Sequence, residues 1–325
     1  MLNQFTEKKL TGPDRVLIGS PQDDMGWNNT GVAYLFSING ALLTTFTNPT
    51  VSSSWFGFSV AAVGSDRVLI GAAYGNAGAN EAGAAYLFST SGALLTSFTN
   101  PTPAYRDAFG WSVAAVGTAR VLIGAPGDDT GAGAAYLFNT NGALLATFTN
   151  LTRFSYDNFG CSLAVVGTDY VLIGAHGTDS SFTATDAGAA YLFYTNGTLL
   201  TTFNNPTPET SDWFGLSVAA VGADRVLIGA YGDNTGGSDA GAAYLFSTTL
   251  QTPEAPVLDI RLTITNTVAV LWPSPSAGWT LQENINGVTS VNWSNASGTI
   301  QDDGTNMTLV INPPTGNRFY RLFKP

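Results

Sequence analysis

The tetrapeptide Val-Leu-Ile-Gly recurs five times, at residues 16–19, 68–71, 121–124, 171–174 and 226–229, so the intervals are 52, 53, 50 and 55 residues. In a chain rich in β-forming residues, a period of that size means that each repeat builds one small sheet and buries its faces on its neighbours. The repeat therefore constrains the architecture before any single residue does.

One period, the third, contains four short β-type runs: Phe109-Gly-Trp-Ser-Val-Ala-Ala-Val-Gly117, Arg120-Val-Leu-Ile-Gly-Ala-Pro126, Gly133-Ala-Ala-Tyr-Leu-Phe138 and Ala143-Leu-Leu-Ala-Thr-Phe148. Between the third and fourth runs stand Asn39-Gly40, Ser91-Gly92, Asn141-Gly142 and Asn196-Gly197 in successive repeats. That dipeptide predicts a two-residue hairpin with positive φ at its centre. Gly117-Thr118-Ala119 and its counterparts Gly64-Ser65-Asp66, Gly167-Thr168-Asp169 and Gly222-Ala223-Asp224 join the first two runs just as tightly. The unit is thus a four-stranded antiparallel meander. Small residues in the first run (Ser112, Ala114, Ala115, Gly117) suit the crowded axis of a radial array, whereas the fourth run carries bulky apolar residues and Thr. The fold class expected is all-β: a β-propeller of about five four-stranded blades. A β-solenoid is the alternative, although its coils are usually shorter and lack Asn-Gly hairpins.

Closure of the ring is unbalanced. The first repeat has no Phe-Gly-x-Ser-Val run, and the fifth stops at Tyr244-Leu-Phe-Ser-Thr-Thr249 without a fourth strand. Leu2–Thr6 matches Leu43–Thr47 and offers an outer strand for the fifth blade; alternatively, Gln4–Gly12 aligns with Phe109–Gly117 and offers an inner strand for the first, with Lys8 and Lys9 replacing apolar residues. One segment cannot do both.

Composition narrows the function classes. A net charge of −11 and three lysines disfavour nucleic acid and anionic membrane surfaces. Cys161 is the only cysteine and His176 the only histidine, which removes intramolecular disulfides, Cys-based zinc sites and histidine clusters. No apolar run is long enough for direct membrane insertion, and Met1–Leu10 lacks the apolar core of a secretory signal. Either the chain is not exported or it is a mature or truncated form of an exported protein, and the family resemblance below implies the second.

The Phe-Gly pairs at 56–57, 109–110, 159–160 and 214–215, with Gly-Ala-Pro at 124–126 and its variants Gly19-Ser20-Pro21, Gly174-Ala175-His176 and Gly229-Ala230-Tyr231, resemble the FG-GAP repeat family in its bacterial form. The resemblance covers roughly residues 1–249. It implies an integrin-α-like propeller in an exported or surface protein that binds other molecules, with a role in cell adhesion. Integrin-type repeats often hold Ca²⁺ on an Asp-x-Asp-x-Asp-Gly loop, which is missing here. In its place stand Asp23-Asp24, Asp128-Asp129, Asp179 with Asp186, and Asp233-Asn234 with Asp239. Adjacent carboxylates can contribute part of a Ca²⁺ shell of six to eight oxygens, so Ca²⁺ is the cofactor these loops would take. Turn chemistry explains the same acids, because Asp and Asn side chains hydrogen-bond their own backbone.

Comparison of the repeats with one another shows nearly constant strands and two variable loops, one after the second strand and one leading into the next blade. In a meander both emerge on one face. That face carries the candidate ligand-binding residues Trp27, Tyr74, Tyr105, Arg106, Arg153, Phe154, Tyr156, Phe182 and Tyr231. Exposed loop aromatics serve protein interfaces and stacked sugar rings. Trp55 and Trp213, directly before Phe-Gly, are read as gap-filling residues. Cys161 takes the position of Phe58, Trp111 and Leu216 and is read as packing; His176 has no partner pattern and is read as a loop histidine. Arg15, Arg67, Arg120 and Arg225 at strand starts are read as structural hydrogen-bond donors.

After a Pro-containing linker at 250–256, runs at Leu258–Ile264, Thr267–Trp272, Trp279–Gln282, Val288–Trp293, Met307–Ile311 and Arg318–Phe323 predict a small β-sandwich over 257–325. Val270-Leu-Trp-Pro273 and Phe319-Tyr-Arg-Leu322 resemble a fibronectin-like module of exported bacterial proteins. The function expected is non-enzymatic, extracellular binding of a protein or glycan through the variable loop face. The alternative is a structural subunit of an extracellular layer or fibre, self-associating by strand addition between chains.

Overall fold

Both faces of a propeller strand are covered by neighbouring blades, which is why Val-Leu-Ile runs without polar interruption. The computed structural model of the chain describes residues 6–10, 14–23, 29–50, 54–150, 154–180, 184–248, 256, 258–263, 267–274, 276, 278–285, 293–312 and 318–323. Two compact units result, Met1–Thr249 and Leu250–Pro325.

In the first unit, every Val-Leu-Ile-Gly run is the second strand of an antiparallel blade. Blade one is β1 (Thr6–Leu10), β2 (Arg15–Ser20), β3 (Val32–Ser37) and β4 (Leu42–Thr47). Blade two is β5 (Phe56–Val63), β6 (Arg67–Ala72), β7 (Ala84–Ser89) and β8 (Leu94–Thr99). Blade three is β9 (Ser112–Val116), β10 (Arg120–Ala125), β11 (Ala134–Asn139) and β12 (Leu144–Thr149), with the short helix α1 (Asp128–Gly131) between β10 and β11. Blade four is β13 (Ser162–Val166), β14 (Tyr170–Ala175), β15 (Ala189–Tyr194) and β16 (Leu199–Asn204). Blade five comprises β17 (Phe214–Val221), β18 (Arg225–Ala230) and β19 (Ala242–Ser247), three strands among the described residues. Each blade is paired in sequence order, and the first strands adjoin one another from β1 to β17.

The period-two alternation divides Val-Leu-Ile between two interfaces. Val121 and Ile123 point back into a core with Leu69 and Leu87 of blade two, whereas Leu122 and Leu137 point forward into a core with Val171 and Ile173 of blade four.

The Phe-Gly pair holds each junction together. Residues 108–111 form a turn in which Trp111 N–H donates to the Ala108 carbonyl (3.0 Å), with Gly110 at φ +90° in its third position. Trp55, Ala108, Asn158 and Trp213, directly before the Phe, all lie at φ between +52° and +56°. This aims the Phe N–H at the preceding blade: Phe56 donates to Thr30 O (3.1 Å), Phe109 to Ala82 O (2.9 Å), Phe159 to Ala132 O (3.2 Å) and Phe214 to Ala187 O (3.0 Å). All four Phe side chains are fully buried. The carbonyl of the Phe-Gly glycine then accepts a hydroxyl proton from the blade before it, in the pairs Ser59–Gly110 (2.8 Å), Ser112–Gly160 (2.6 Å) and Ser162–Gly215 (2.7 Å).

The last residue of Val-Leu-Ile-Gly is glycine for the same reason. A Cβ on Gly71, Gly124 or Gly174 would stand 2.0–2.1 Å from that carbonyl oxygen. Arg67 and Arg120 reach across the same junctions to Thr118 O (2.7 Å) and Thr168 O (3.1 Å).

Two expectations are corrected. The hairpin between the third and fourth strands has three residues, not two: Ser37 N–H donates to Ala41 O and Gly40 N–H to Ser37 O (both 2.9 Å), and only the glycine of each Asn-Gly or Ser-Gly pair has positive φ. A separate irregularity follows within the strand pair, where the register shifts between Leu35, opposite Thr44, and Phe36, opposite Leu42. The choice at the N-terminus is also decided: Thr6–Leu10 is the inner strand of blade one, with Lys8 opposite Ile18 as Val113 is opposite Ile123. The fifth blade is therefore the one that lacks an outer strand among the described residues.

The second unit contains β20 (Asp259–Leu262), β21 (Val268–Pro273), β22 (Thr280–Asn284), β23 (Ser294–Asn295), β24 (Ile300–Asp302), β25 (Asn306–Ile311) and β26 (Phe319–Phe323). They form sheets in the orders β20-β21-β25-β24 and β23-β22-β26, which share a core of Val270, Trp272, Leu281 and Leu309. The run expected at Val288–Trp293 lies largely outside the described residues.

Two glycines separate close approach from backbone strain. Gly124→Ala forces a Cβ onto the Gly160 carbonyl and is expected to destabilise by roughly 3 kcal/mol. Gly117→Ala meets no atom within 4 Å but keeps φ +65°, so about 1 kcal/mol is expected. Denaturant melts of the two variants test the assignment, and equal losses would remove the glycine–carbonyl contact from the explanation.

Candidate functional site

The two variable loops of each blade are tied together by backbone bonds. Tyr74 N–H donates to Ser54 O, Gly127 to Asp107 O, Gly177 to Asp157 O and Gly232 to Asp212 O, at 3.0–3.1 Å. Buried side chains brace the same corner: Asn100, Asn150 and Asn205, just past the outer strands, donate to Asp107, Asp157 and Asp212, each at 2.7 Å. In the first junction Asn48 donates to Ser54 Oγ instead, also at 2.7 Å. These loops thus share one face on a rigid footing.

A cavity of about 580 Å³ opens there, walled by Tyr74, Trp111, Pro126, Asn158 and His176, with Glu81 and Arg106 at its edge. A second hollow of about 450 Å³ lies between Trp55, Tyr74, Asn76, Asn80 and Glu81. The aromatic wall is continuous. Tyr74 meets Trp55 edge-on at 4.7 Å, and Trp111 lies 4.5 Å from Phe58 and 6.3 Å from Tyr74 between ring centroids. Arg106 Nε donates to Glu81 Oε2 at 2.6 Å while its guanidinium sits 5.0 Å over the Tyr105 ring. Burial raises the Tyr74 phenol above its ordinary range, so it remains a neutral donor. Burial also lowers the His176 pKa, and its Nδ1 is buried without a hydrogen-bond partner. The Cys161 thiol is pushed up to about 11 by burial and stays protonated.

Of the loop residues singled out from the sequence, the fold brings Tyr74 and Arg106 into this cavity and sets Tyr105 beside it. Phe154 and Tyr156 are exposed on the blade-four lead-in loop. Tyr231 is exposed and stacks on Trp213 at 5.7 Å with an interplanar angle of 16°. Trp27, Arg153 and Phe182 lie outside the described residues. Trp55, Trp111, Glu81, Asn158 and His176 join the site only through the fold; the signal for the first two was an aromatic beside Phe-Gly, which is equally a packing pattern.

The FG-GAP repeat profile matches residues 98–138, 154–193 and 208–246. Each stretch runs through a lead-in loop, the Phe-Gly clasp and the strands as far as the third of its blade. The chain carries FG-GAP repeats. Such repeats are found in extracellular adhesion-type proteins and are generally non-enzymatic. No curated protein gives a significant match. Among similar solved structures is the crystal structure of a protein of unknown function from Bacteroides caccae, with 12% identity, 80% of this chain and 82% of that one covered, and a TM-score of 0.43. Among the described residues, no helix is long and apolar enough to cross a membrane.

The loop acids of these FG-GAP repeats have partners within the protein. Tyr34 OH donates to Asp23 Oδ2 (2.9 Å), Tyr136 OH to Asp128 Oδ2 and Tyr244 OH to Asp233 Oδ2 (2.6 Å). Asp233 Oδ1 and Asp179 Oδ1 accept the amides of Thr235 (2.8 Å) and Asp186 (2.9 Å) as turn acceptors. Asp129 is exposed in a left-handed conformation, φ +49°, beside Asp128. Asp24 lies outside the described residues. Among the described residues no three His, Cys, Asp or Glu side chains are grouped so as to hold a metal ion.

The Asn100–Asp107 brace titrates. Burial, reinforced by the Asp128 charge, raises the Asp107 pKa against the amide bonds from Ala104 and Asn100 that lower it. With the folded pKa above the unfolded one, its contribution is fully present below the unfolded pKa and is lost as pH rises through the folded value. Relative to Asp107→Asn, the wild type is expected to gain stability as pH falls from about 7 to about 3. Urea unfolding of both proteins across that range checks the sign, and a wild type that loses stability relative to Asp107→Asn on acidification refutes it.

Proposed function

We propose that the chain is a non-enzymatic extracellular binding or adhesion protein that holds a protein or glycan in the aromatic cavity of its loop face. The supporting observation is the wall of Trp55, Tyr74 and Trp111 with the Glu81–Arg106 pair at its rim. Flat aromatic faces stack on sugar rings or on protein side chains, and a fixed carboxylate–guanidinium pair supplies directional acceptors and donors. Binding proceeds without Ca²⁺, because the loop carboxylates already accept tyrosine hydroxyls and backbone amides.

Glycan and protein arrays probed with the intact chain identify the ligand class. Tyr74→Ala and Trp111→Ala are expected to weaken the best hit by at least about tenfold, the range of an aromatic hot spot. Tyr156→Ala, on an exposed ring away from the cavity, is expected to leave it within about twofold. Full-strength binding by Trp111→Ala would move the site elsewhere, and loss of binding in chelator would bring Ca²⁺ back.

A second reading rests on the fifth blade. β19 has no outer neighbour among the described residues, and such an edge accepts a strand from another chain. Under this reading the protein is a subunit of an extracellular layer or fibre. Light scattering at rising concentration separates the two: ordered polymers favour the subunit, and a stable monomer favours the receptor-like protein.

A further inference from the structure

Resting on the reading of the loop-face cavity as the binding site, we infer that it receives the end of a neutral glycan rather than a protein, and that Cys161 in blade four makes room for it.

The room comes from one position of the repeat. The residue directly after Phe-Gly is Phe58, Trp111, Cys161 and Leu216 in blades two to five. Where two bulky residues are neighbours the space closes, and the Phe58 and Trp111 rings meet at 4.5 Å. Cys161, between Trp111 and Leu216 in blade order, is the smallest of the four. These three line the cavity of about 580 Å³, and they also line a smaller hollow of about 220 Å³ beside the first-strand residues Ser112, Val113 and Ser162. They therefore form the partition between the two spaces, and the side chain at 161 sets how far the cavity extends towards the first strands. The volume lies within the roughly 300–1,000 Å³ of small-ligand sites. A protein partner needs a surface of about 800 Å² per side instead.

The lining selects the class of ligand. Trp111 and Tyr74 offer aromatic faces for the C–H side of a sugar ring. Around them stand groups that match hydroxyls in both senses. Asn158 Nδ2 donates to Tyr156 O (2.6 Å), which leaves Oδ1 to accept. Glu81 Oε2 takes Arg106 Nε (2.6 Å), so Oε1 accepts and the remaining guanidinium N–H groups donate. A sugar hydroxyl donates and accepts at once. An apolar protein anchor in the same place would strip water from these groups without replacing it, at about 1–3 kcal/mol for each group left unmet. Charge disfavours acidic glycans. Glu81 and Arg106 cancel, and burial keeps Tyr74, His176 and Cys161 uncharged at neutral pH, so the lining residues leave no cation over in a chain of net charge −11.

The full chain is titrated with methyl glycosides and trisaccharides of glucose, galactose, mannose and N-acetylglucosamine, each beside a uronate or sialylated counterpart. Tryptophan fluorescence and calorimetry are the readouts. At least one neutral saccharide is expected to saturate, and its acidic counterpart to bind at least about tenfold more weakly. Cys161→Leu and Cys161→Phe give blade four the residue of blade five or blade two. Each is expected to weaken that saccharide at least about tenfold, while Cys161→Ser stays within about twofold. Circular dichroism and melting establish that each variant is folded.

Silence across the whole panel, equal or tighter binding of the acidic forms, or full-strength binding by a folded Cys161→Leu protein overturns the inference. A protein ligand that needs Tyr74 and Trp111, found while the saccharides are silent, refutes the glycan and leaves the cavity reading standing. A saccharide whose binding survives both Trp111→Ala and Cys161→Phe removes the cavity itself from the explanation.

Discussion

The clasp between a Phe-Gly pair and the edge of the preceding blade is the interaction on which the propeller unit depends. It combines a fully buried phenyl ring, a backbone bond across the junction, and glycine backbones packed closer than any Cβ allows. Burying one such ring is worth about 1.5–3 kcal/mol. That offsets the roughly 1–2 kcal/mol needed to hold the residue before it, such as Trp55 or Asn158, in the left-handed region. Without the clasp each blade would be a four-stranded sheet with two wet apolar faces. With it, Val and Ile of one blade close on Leu of the previous one.

Because the strands are committed to these junctions, recognition falls to the loops. The buried Asn–Asp braces fix the lead-in loops against the outer strands, and backbone bonds fix them to the loops after the second strands. An aromatic cavity set on such corners is rigid, so little conformational entropy is lost when a ligand enters. The acids that look like metal ligands in sequence are part of this same scaffolding, accepting tyrosine hydroxyls from their own third strands.

Much of this was legible in the residues. Val-Leu-Ile-Gly marked the second strand, the small residues of Ser112–Val116 marked the inner one, and Arg67 and Arg120 do bridge to neighbouring repeats. The hairpins were misread because Asn-Gly is compatible with two turn types, and the choice rests on the φ of Asn39 or Asn141, which depends on the twist of the flanking strands. Lys8 and Lys9 disguised an inner strand whose place is set by pairing with β2 rather than by apolar character. Trp111 and Glu81 were passed over as site residues because they belong to different repeats and meet only when neighbouring blades pack. Asn100 and Asp107 are seven residues apart and pair only once the loop doubles back.

The repeat by itself determined an all-β chain of about five blades, since a period near fifty with four β runs has few ways to bury both faces of every strand. It also determined that the loops vary on one face. Tertiary structure decided which blade has three strands among the described residues, which aromatics share a cavity, and why the last residue of Val-Leu-Ile-Gly is glycine. That glycine meets a carbonyl of the next repeat, about forty residues further along the chain. Such a contact exists only between folded neighbours, so the sequence shows the glycine without showing what presses on it.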